Sequence, residues 1–172
     1  EKDVVNTILE LLNNKSLDMI TADEIAGGAN ISKRTLYRYY KSKTLMYLEV
    51  VKFMFKDLNQ RMESNIKALN NPSTINQIDC IGRTYLEYVL DEPVKGSILN
   101  SFNEMDYEQD YSEKVHEIAE ISGKYELLSY VRRYYDEKNI IPSIPVESIA
   151  IHLWASVLGL AMLLKEKGTW IE

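Results

Sequence analysis

The sequence predicts an all-α fold, with a small three-helix domain at the amino terminus followed by a larger helical domain. Two observations support this prediction. Apolar residues recur at helical spacing along most of the chain, and capping residues and breakers divide that pattern into separate segments. No alternating apolar and polar run is long enough to indicate a strand. A chain of 172 residues with an apolar fraction of 45% can bury a core of this kind.

A first helix is predicted at the amino terminus. Its evidence is a set of apolar residues at helical spacing: Val4, Val5, Ile8, Leu9 and Leu12. We expect this helix to pack across the next two and complete a three-helix core.

The stretch from 21 to 46, TADEIAGGANISKRTLYRYYKSKTLM, has the pattern of a helix-turn-helix. Thr21 lies three residues before Glu24, which is a capping-box signature for the start of a short helix. Ser32 is the expected cap of the second helix. Between them, the residues expected to form the tight turn are Gly27, Gly28 and Asn30.

The second helix of this motif has two different faces. Leu36 and Tyr40 are four residues apart and should face inward. The other face carries long cations and hydroxyls, which suit a helix that lies in a major groove and contacts phosphates and base edges. These residues are Lys33, Arg34, Thr35, Tyr37, Arg38 and Tyr39.

Residues 25–43 follow the pattern IA-x-x-A-N-I-S-x-x-T-L-Y-x-Y-Y-x-S-K. This pattern resembles the amino-terminal DNA-binding domain of the tetracycline-repressor (TetR) family of bacterial regulators, and the resemblance covers about the first fifty residues. Three positions depart from the family: Asn30 replaces the usual glycine, Thr44 replaces an acidic residue, and Tyr40 stands where phenylalanine is more common.

The resemblance implies roles for individual residues of the motif. Phosphate anchors are expected at Thr21, Thr35, Tyr37, Tyr39 and Lys43. Contacts with bases, or with both bases and phosphates, are expected from Lys33, Arg34 and Arg38. Ser32 is also expected to contact DNA. The implied partner is a double-stranded DNA operator that a homodimer binds.

Charge is distributed unevenly along the chain. The net charge is −6, yet no acidic residue occurs between Ile25 and Leu48, where five lysines and arginines lie. From Asp57 onward there are 11 basic and 19 acidic residues. The cationic part is therefore local, as expected of a DNA reader joined to a domain that avoids nucleic acid.

Ser42 is expected to cap a long helix that joins the two domains. Its apolar stripe consists of Leu48, Val51, Phe55, Leu58 and Met62. The breakers at 70–72 should end it. We therefore predict a DNA-binding domain over 1–46 and a regulatory and dimerisation domain over 47–172, with a connecting helix at about 43–69.

Four further helices are predicted in the second domain. They span Thr74 to Leu90, Val94 to Met105, about Glu113 to Lys138, and a last segment from near Pro145 to Lys167. The acidic segment from Asp106 to Ser112 is expected to be a turn.

The last helix is apolar nearly all round, so it should have partners on several sides. It is shorter than the roughly twenty apolar residues of a membrane span and is interrupted by His152, which argues against insertion. We predict that it is part core and part dimer interface, with interface residues His152, Ala155, Ser156, Gly159 and Leu163. The family resemblance implies two such helices per subunit, and the sequence shows one of them, so whether a final helix is missing stays open.

The sequence contains no pattern that predicts catalysis, a metal site or a cofactor. It has no glycine-rich phosphate loop and no cysteine–histidine metal spacing, and the nearest approach is His116 with Glu120. Cys80 is the single cysteine and should be a small buried hydrophobe, so we expect a reducing, cytoplasmic location.

The resemblance implies a small-molecule pocket in the helical domain. Aromatic and soft side chains suit such a pocket. The expected lining is Tyr85, Tyr88, Phe102, Met105, Tyr125, Trp154 and Met162. Simple core packing is the alternative for each of them, and Glu104 or Glu126 could select a cationic ligand.

The sequence therefore predicts a homodimeric transcriptional regulator, most simply a repressor that responds to an unknown small-molecule effector. Two alternatives stay open: an all-helical carrier or enzyme, and a DNA-binding regulator without a small-molecule effector.

Overall fold

A computed structural model describes residues 2–102, 107, 109–122 and 124–167, with the side chains of 124, 125 and 165–167 left out. Within these residues the fold is all-α, as predicted, and none of them lies in a strand. The helices are α1 (Lys2–Leu12), α2 (Ala22–Gly28), α3 (Lys33–Tyr39), α4 (Lys43–Ala68), α5 (Thr74–Asp91), α6 (Pro93–Ser101), α7 (Ser112–Ile121), α8 (Lys124–Lys138) and α9 (Val146–Lys167). Short 3₁₀ turns occur at Leu17–Met19 and Gln109–Tyr111.

Helices α1, α2 and α3 pack together with the start of α4 into an amino-terminal head (residues 2–46). Its buried centre includes Ile8, Ile25 and Leu36, each at most 1% exposed. Both predicted caps form. The Thr21 hydroxyl accepts from the Glu24 backbone N–H at 3.2 Å, and the Glu24 carboxylate accepts from the Thr21 N–H at 2.9 Å. Burial and capping together set the positions of the two short helices.

The turn between α2 and α3 differs from the prediction. Gly27 and Gly28 are the last two residues of α2, and the left-handed residue is Asn30, with φ of 53°. A Cβ atom added to Gly28 would lie 2.4 Å from Cγ2 of Thr7 in α1. Gly28 is therefore needed for the close approach of two helices, and asparagine supplies the backbone conformation that the turn requires.

Helix α4 begins at the predicted cap and carries the predicted stripe into the core. The Ser42 hydroxyl accepts from the Leu45 N–H at 3.2 Å. The stripe is buried throughout: Leu48, Val51, Phe55, Leu58 and Met62. After Ala68 the chain turns through Asn71, which has a φ of 51°.

The predicted single helix from Glu113 to Lys138 is wrong, because α7 ends at Ile121 and α8 begins at Lys124. The Ser122 hydroxyl donates to the Ala119 carbonyl at 2.8 Å. Serine side chains that bond to nearby backbone compete with helix propagation. Helix α6 ends at Ser101, before the predicted end, and residues 103–105 of that prediction lie outside the described residues.

Helix α9 spans the predicted range and has an inner and an outer face. Ala150 and Ala161 are buried, whereas Ile151 and Met162 are 67% and 59% exposed. By length and composition alone, Val146–Leu164 could cross a membrane, and 11% of this segment is buried within the protein. It is the one such helix in the described part of the chain, and the core helix of a water-soluble protein can pass the same test.

Candidate nucleic-acid interface

The outer face of α3 presents the side chains that the sequence predicted for DNA. Tyr37 and Tyr39 are 44% and 68% exposed, and Lys33, Arg34 and Arg38 are exposed beside them. Leu36, on the opposite face, is fully buried. Because Leu36 packs one face of this short helix into the core, the cations and hydroxyls on the other face point outward.

Hydroxyl groups at the start of α3 are already hydrogen-bonded. The Thr35 N–H donates to the Ser32 Oγ at 3.0 Å, and the two hydroxyl oxygens are 2.9 Å apart. The Thr21 hydroxyl is similarly engaged, because it donates to the Glu24 carboxylate at 3.0 Å. Both helix starts are therefore capped from within the protein.

Three of the predicted cations have protein partners. Lys33 pairs with Asp23 of α2 at 2.8 Å, and this hydrogen bond raises the pKa of the lysine. The Arg38 guanidinium lies 5.1 Å from the centre of the Tyr39 ring. Lys43 donates to the Asp18 carbonyl at 3.1 Å, which ties the start of α4 to the 3₁₀ turn before α2.

Sequence reasoning missed Asp23 and Lys15 as parts of this surface. Lys15 pairs with Glu24, and that hydrogen bond, with those from Thr21, lowers the pKa of Glu24 to about 2. Both ion pairs join residues on different segments, nine and ten positions apart. No local spacing rule identifies such pairs, because the turns decide which side chains meet.

The predicted pocket residues do not share one neighbourhood. Tyr85 and Trp154 are in ring contact at 4.9 Å, whereas Phe102 packs on Phe55 and Met162 faces outward. Met105 and the side chain of Tyr125 lie outside the described residues.

Tyr88 belongs to the same buried cluster as Tyr85 but contacts different groups. It lies under the Arg61 guanidinium at 4.7 Å from the ring centre. Burial raises the pKa of Tyr85 to about 12, so this phenol remains neutral and bonds to Asn100.

Trp154 lines two apolar grooves that flank α9. One lies between α5 and α9 and the other between α8 and α9, each with a volume of about 550 Å³. The first is walled by Ile78, Leu86 and Val157. The second is walled by Leu128 and Ala155.

The residues predicted for the dimer interface lie on the outer side of α9. His152, Ala155, Ser156 and Leu163 are exposed, and a Cβ atom on Gly159 would meet nothing within 4 Å. His152 Nδ1 lies 2.6 Å from the Ser148 carbonyl. This surface of small and apolar groups would allow close approach by another helix.

Metal-ligating residues do not cluster in the described part of the chain, where no group of three or more His, Cys, Asp and Glu side chains could hold an ion. His116 is paired with Glu120 at 3.5 Å on the exposed face of α7.

Residues 4–50 match the family model of bacterial regulatory proteins of the tetR family. The biofilm operon icaADBC HTH-type negative transcriptional regulator IcaR of Staphylococcus aureus (strain Newman) is 31% identical over 88 residues, which are 51% of this chain and 45% of the relative. Nucleoid occlusion factor SlmA of Haemophilus influenzae (strain PittGG) is 25% identical over 93 residues, which are 54% of this chain and 42% of that protein. The matches thus span less than half the length of these relatives.

The whole fold also has a counterpart among solved structures. The transcriptional regulator FadR of Bacillus subtilis, solved in complex with stearoyl-CoA, superposes with a TM-score of 0.78 at 13% identity, covering 99% of this chain and 89% of that one. Residues 4–50, which include α2 and α3, thus match the DNA-binding part of bacterial regulatory proteins of the tetR family, and the helices of the whole chain are arranged as in FadR.

Proposed function

We propose that this protein is a transcriptional repressor that binds a palindromic DNA operator as a homodimer and releases it when a small effector binds. Residues 1–46 form the DNA-binding domain and residues 47–172 the regulatory and dimerisation domain. It acts by binding rather than by catalysis, and it works in the cytoplasm, where the DNA is.

The exposed cationic face of α3 is the observation that carries this proposal. Arg34 and Arg38 extend from the same short helix that two caps and a buried leucine hold in place. A helix with this face fits a major groove, where arginine reads guanine and hydroxyls bind phosphate. Two such heads in a dimer would occupy successive major grooves on one side of the duplex.

The proposed effector site is the groove between α5 and α9. Its walls are mostly apolar, and an ion pair between Arg83 and Asp79 at 2.7 Å lies at its rim. An apolar molecule with a charged end group fits this arrangement, and the stearoyl-CoA of the FadR complex belongs to that chemical class. The effector would weaken DNA binding only if its affinity for the protein differs between the two arrangements of the heads.

Selection of duplexes from a random-sequence pool tests the DNA-binding part of this proposal. We expect the wild-type protein to enrich two half-sites with inverted symmetry, about one helical turn apart. Arg34→Ala should relax the base preference at one position of each half-site and cost about 1 to 3 kcal/mol in binding.

Arg133→Ala serves as the control, because Arg133 is exposed on α8, away from the head and from the proposed effector site. It should enrich the same duplexes as the wild type. A wild-type protein that enriches no sequence would refute specific DNA recognition.

A further inference from the structure

Helix α7 runs alongside α4 and contacts it through polar side chains at successive levels. The first contact is at the start of α4, where the Tyr111 hydroxyl donates to the Ser42 Oγ at 3.3 Å. Ser42 is the cap of α4, and its oxygen also accepts from the Leu45 N–H. A residue 69 positions away in sequence therefore contacts the point where the head joins the long helix.

The next two contacts are ion pairs. Lys114 of α7 pairs with Glu49 of α4, and Glu117 of α7 pairs with Lys52 of α4. Lys114 also contacts Glu117 at 3.0 Å, so the four side chains form one continuous network. Three of the four side chains are at most 20% exposed, and partial burial strengthens such pairs relative to surface ones.

The pKa values of two members agree with this arrangement. Burial alone would lower the pKa of Lys114, but the hydrogen bonds to Glu49 and Glu117 outweigh it and raise the value. Hydrogen bonds from Lys52 and Lys114 lower the pKa of Glu117. Lys114 and Glu117 are thus both charged at neutral pH.

The last contact is at the end of α7. The Asn59 amide donates to the Ile121 carbonyl at 2.7 Å, and this carbonyl is among those that a helix end leaves without an intrahelical partner. We call the series the α4–α7 seam, and its pairs are Ser42–Tyr111, Glu49–Lys114, Lys52–Glu117 and Asn59–Ile121. Residue numbers rise together on both helices, so the two helices run in the same direction.

The seam connects the head to the region of the proposed dimer. Glu49 and Lys114 line a cleft of about 540 Å³ whose other walls include Thr35 and Tyr39 of α3. Beyond its other end, α7 contacts α8, and α8 packs on α9. One helix therefore borders a cleft that α3 also lines and leads to the carboxyl-terminal pair of helices.

Apolar packing alone would not fix the position of α7 along α4. Val115 and Ile118 of α7 belong to the same buried cluster as Met54 of α4, and apolar contacts of this kind are non-directional. Hydrogen bonds and ion pairs require particular partners at particular distances. The seam therefore supplies the register that the buried contacts lack.

We propose that α7 positions the DNA-reading head by holding α4 through the α4–α7 seam, with Tyr111, Lys114 and Glu117 as positioning residues. The inference rests on the proposed DNA-binding function, because the head position matters only if two heads must match a fixed half-site spacing.

The test measures head position directly, in the full chain and without DNA. Spin labels are placed at Met19→Cys in the head and Glu87→Cys on α5, in a Cys80→Ser background, and labelled protein is diluted with unlabelled protein. Met19 is 70% exposed and Glu87 is also exposed, so labels should not disturb the core. The distance distribution between the labels is recorded by pulsed electron resonance.

The main variant combines Tyr111→Phe with Lys114→Met, which removes two contacts of the seam and keeps the side-chain volumes. Glu120→Gln is the matched control, because it removes an ion pair on the exposed face of the same helix. Adding Glu49→Gln to the main variant tests whether an unpaired Glu49 charge is the cause of any change. Each variant is also used to select duplexes from the random-sequence pool.

We expect the distance distribution to broaden or shift in the main variant, with or without Glu49→Gln, and to stay unchanged in Glu120→Gln. The main variant should enrich the same half-sites with a wider range of spacings. An unchanged distribution and unchanged spacings, even with lower stability in urea, would overturn the positioning role. If the wild type enriches no duplex, the proposed function fails, and the distance distribution alone then decides whether the seam positions the head.

Discussion

Individual side chains on the predicted DNA-facing surface are held by other protein groups in the absence of a duplex. Lys33 is the clearest case, because its partner Asp23 places a negative charge beside the cation that should approach phosphate. Both side chains are more than half exposed, so this pair adds little to stability. Its effect should therefore fall on DNA binding.

Asp23→Asn is expected to tighten binding to duplexes of random sequence, most strongly at low salt. The substitution removes a charge that repels phosphate and leaves Lys33 available, so the slope of log K against log salt should steepen by about one. Fluorescence anisotropy across a salt series measures both effects. Glu63→Gln breaks a similar exposed pair with Lys67 near the end of α4 and should change neither quantity. An unchanged affinity in Asp23→Asn would show that the Asp23–Lys33 pair does not limit DNA binding.

Because the pKa of Glu24 is lowered, we expect the stability of the head to depend on pH. Its pKa in the folded protein is about 2, against 4.5 for an unperturbed glutamate, so its stabilising contribution is complete above pH 4.5 and is lost as pH falls through 2. Glu24→Gln should therefore lower the free energy of unfolding at pH 7, and the difference from wild type should shrink towards pH 2. Urea unfolding at several pH values measures this difference.

Glu10→Gln provides the comparison for Glu24→Gln, since Glu10 is exposed on α1. A difference between Glu24→Gln and wild type that is the same at pH 7 and near pH 2 would contradict the assigned pKa.

Among the helices, the contact between α1 and α2 depends on the absence of one side chain. Gly28→Ala should destabilise the protein by about 1 to 3 kcal/mol, because the new methyl group would overlap the buried, β-branched Thr7. Gly27→Ala has open space around it and should be neutral or stabilising by up to about 1 kcal/mol. Thermal unfolding of both variants tests the contrast.

Replacement of Thr7 by alanine in the Gly28→Ala protein should recover part of the lost stability. Equal melting temperatures for the two glycine variants would show that the close approach does not constrain α2.

The sequence predicted the helices where short-range rules apply and failed where distant contacts decide. The caps at Thr21, Ser32 and Ser42 were all identifiable from residue type and spacing, and each forms. The break at Ser122 was missed because the apolar pattern continues across it, although the adjacent Gly123 was an available signal. The role of Gly28 could not be inferred, because its reason lies on α1.

The same limit applies to the candidate sites. The outward face of α3 follows from helical periodicity, so its members could be named from the sequence. The partners of Lys33 and Lys43 could not, because loops bring them from other segments. The α4–α7 seam joins residues more than 60 positions apart, and a single sequence contains no signal for such pairs.

Helix α9 leaves an apolar surface that a second copy of the chain would cover in the proposed dimer. Ala155→Glu should convert this proposed dimer to a monomer, because the exposed alanine allows close helix approach and a buried, unpaired carboxylate would oppose it. Sedimentation velocity measures the change, and circular dichroism should show an intact helical fold.

Leu69→Glu, which places a charge at the exposed end of α4, should remain a dimer. A wild-type protein that is monomeric and floats with lipid vesicles would assign α9 to a membrane instead.

The salt dependence of DNA binding shows whether the cationic heads bind a duplex through several phosphates. We expect the wild-type protein to bind its selected duplex with a log–log slope of about −4 or steeper, since each neutralised phosphate contributes roughly −0.9 and two cationic heads should make several contacts. Affinity should therefore fall sharply as salt rises. A slope near zero, or no binding to double-stranded DNA at low ionic strength, would contradict the proposed DNA-binding function.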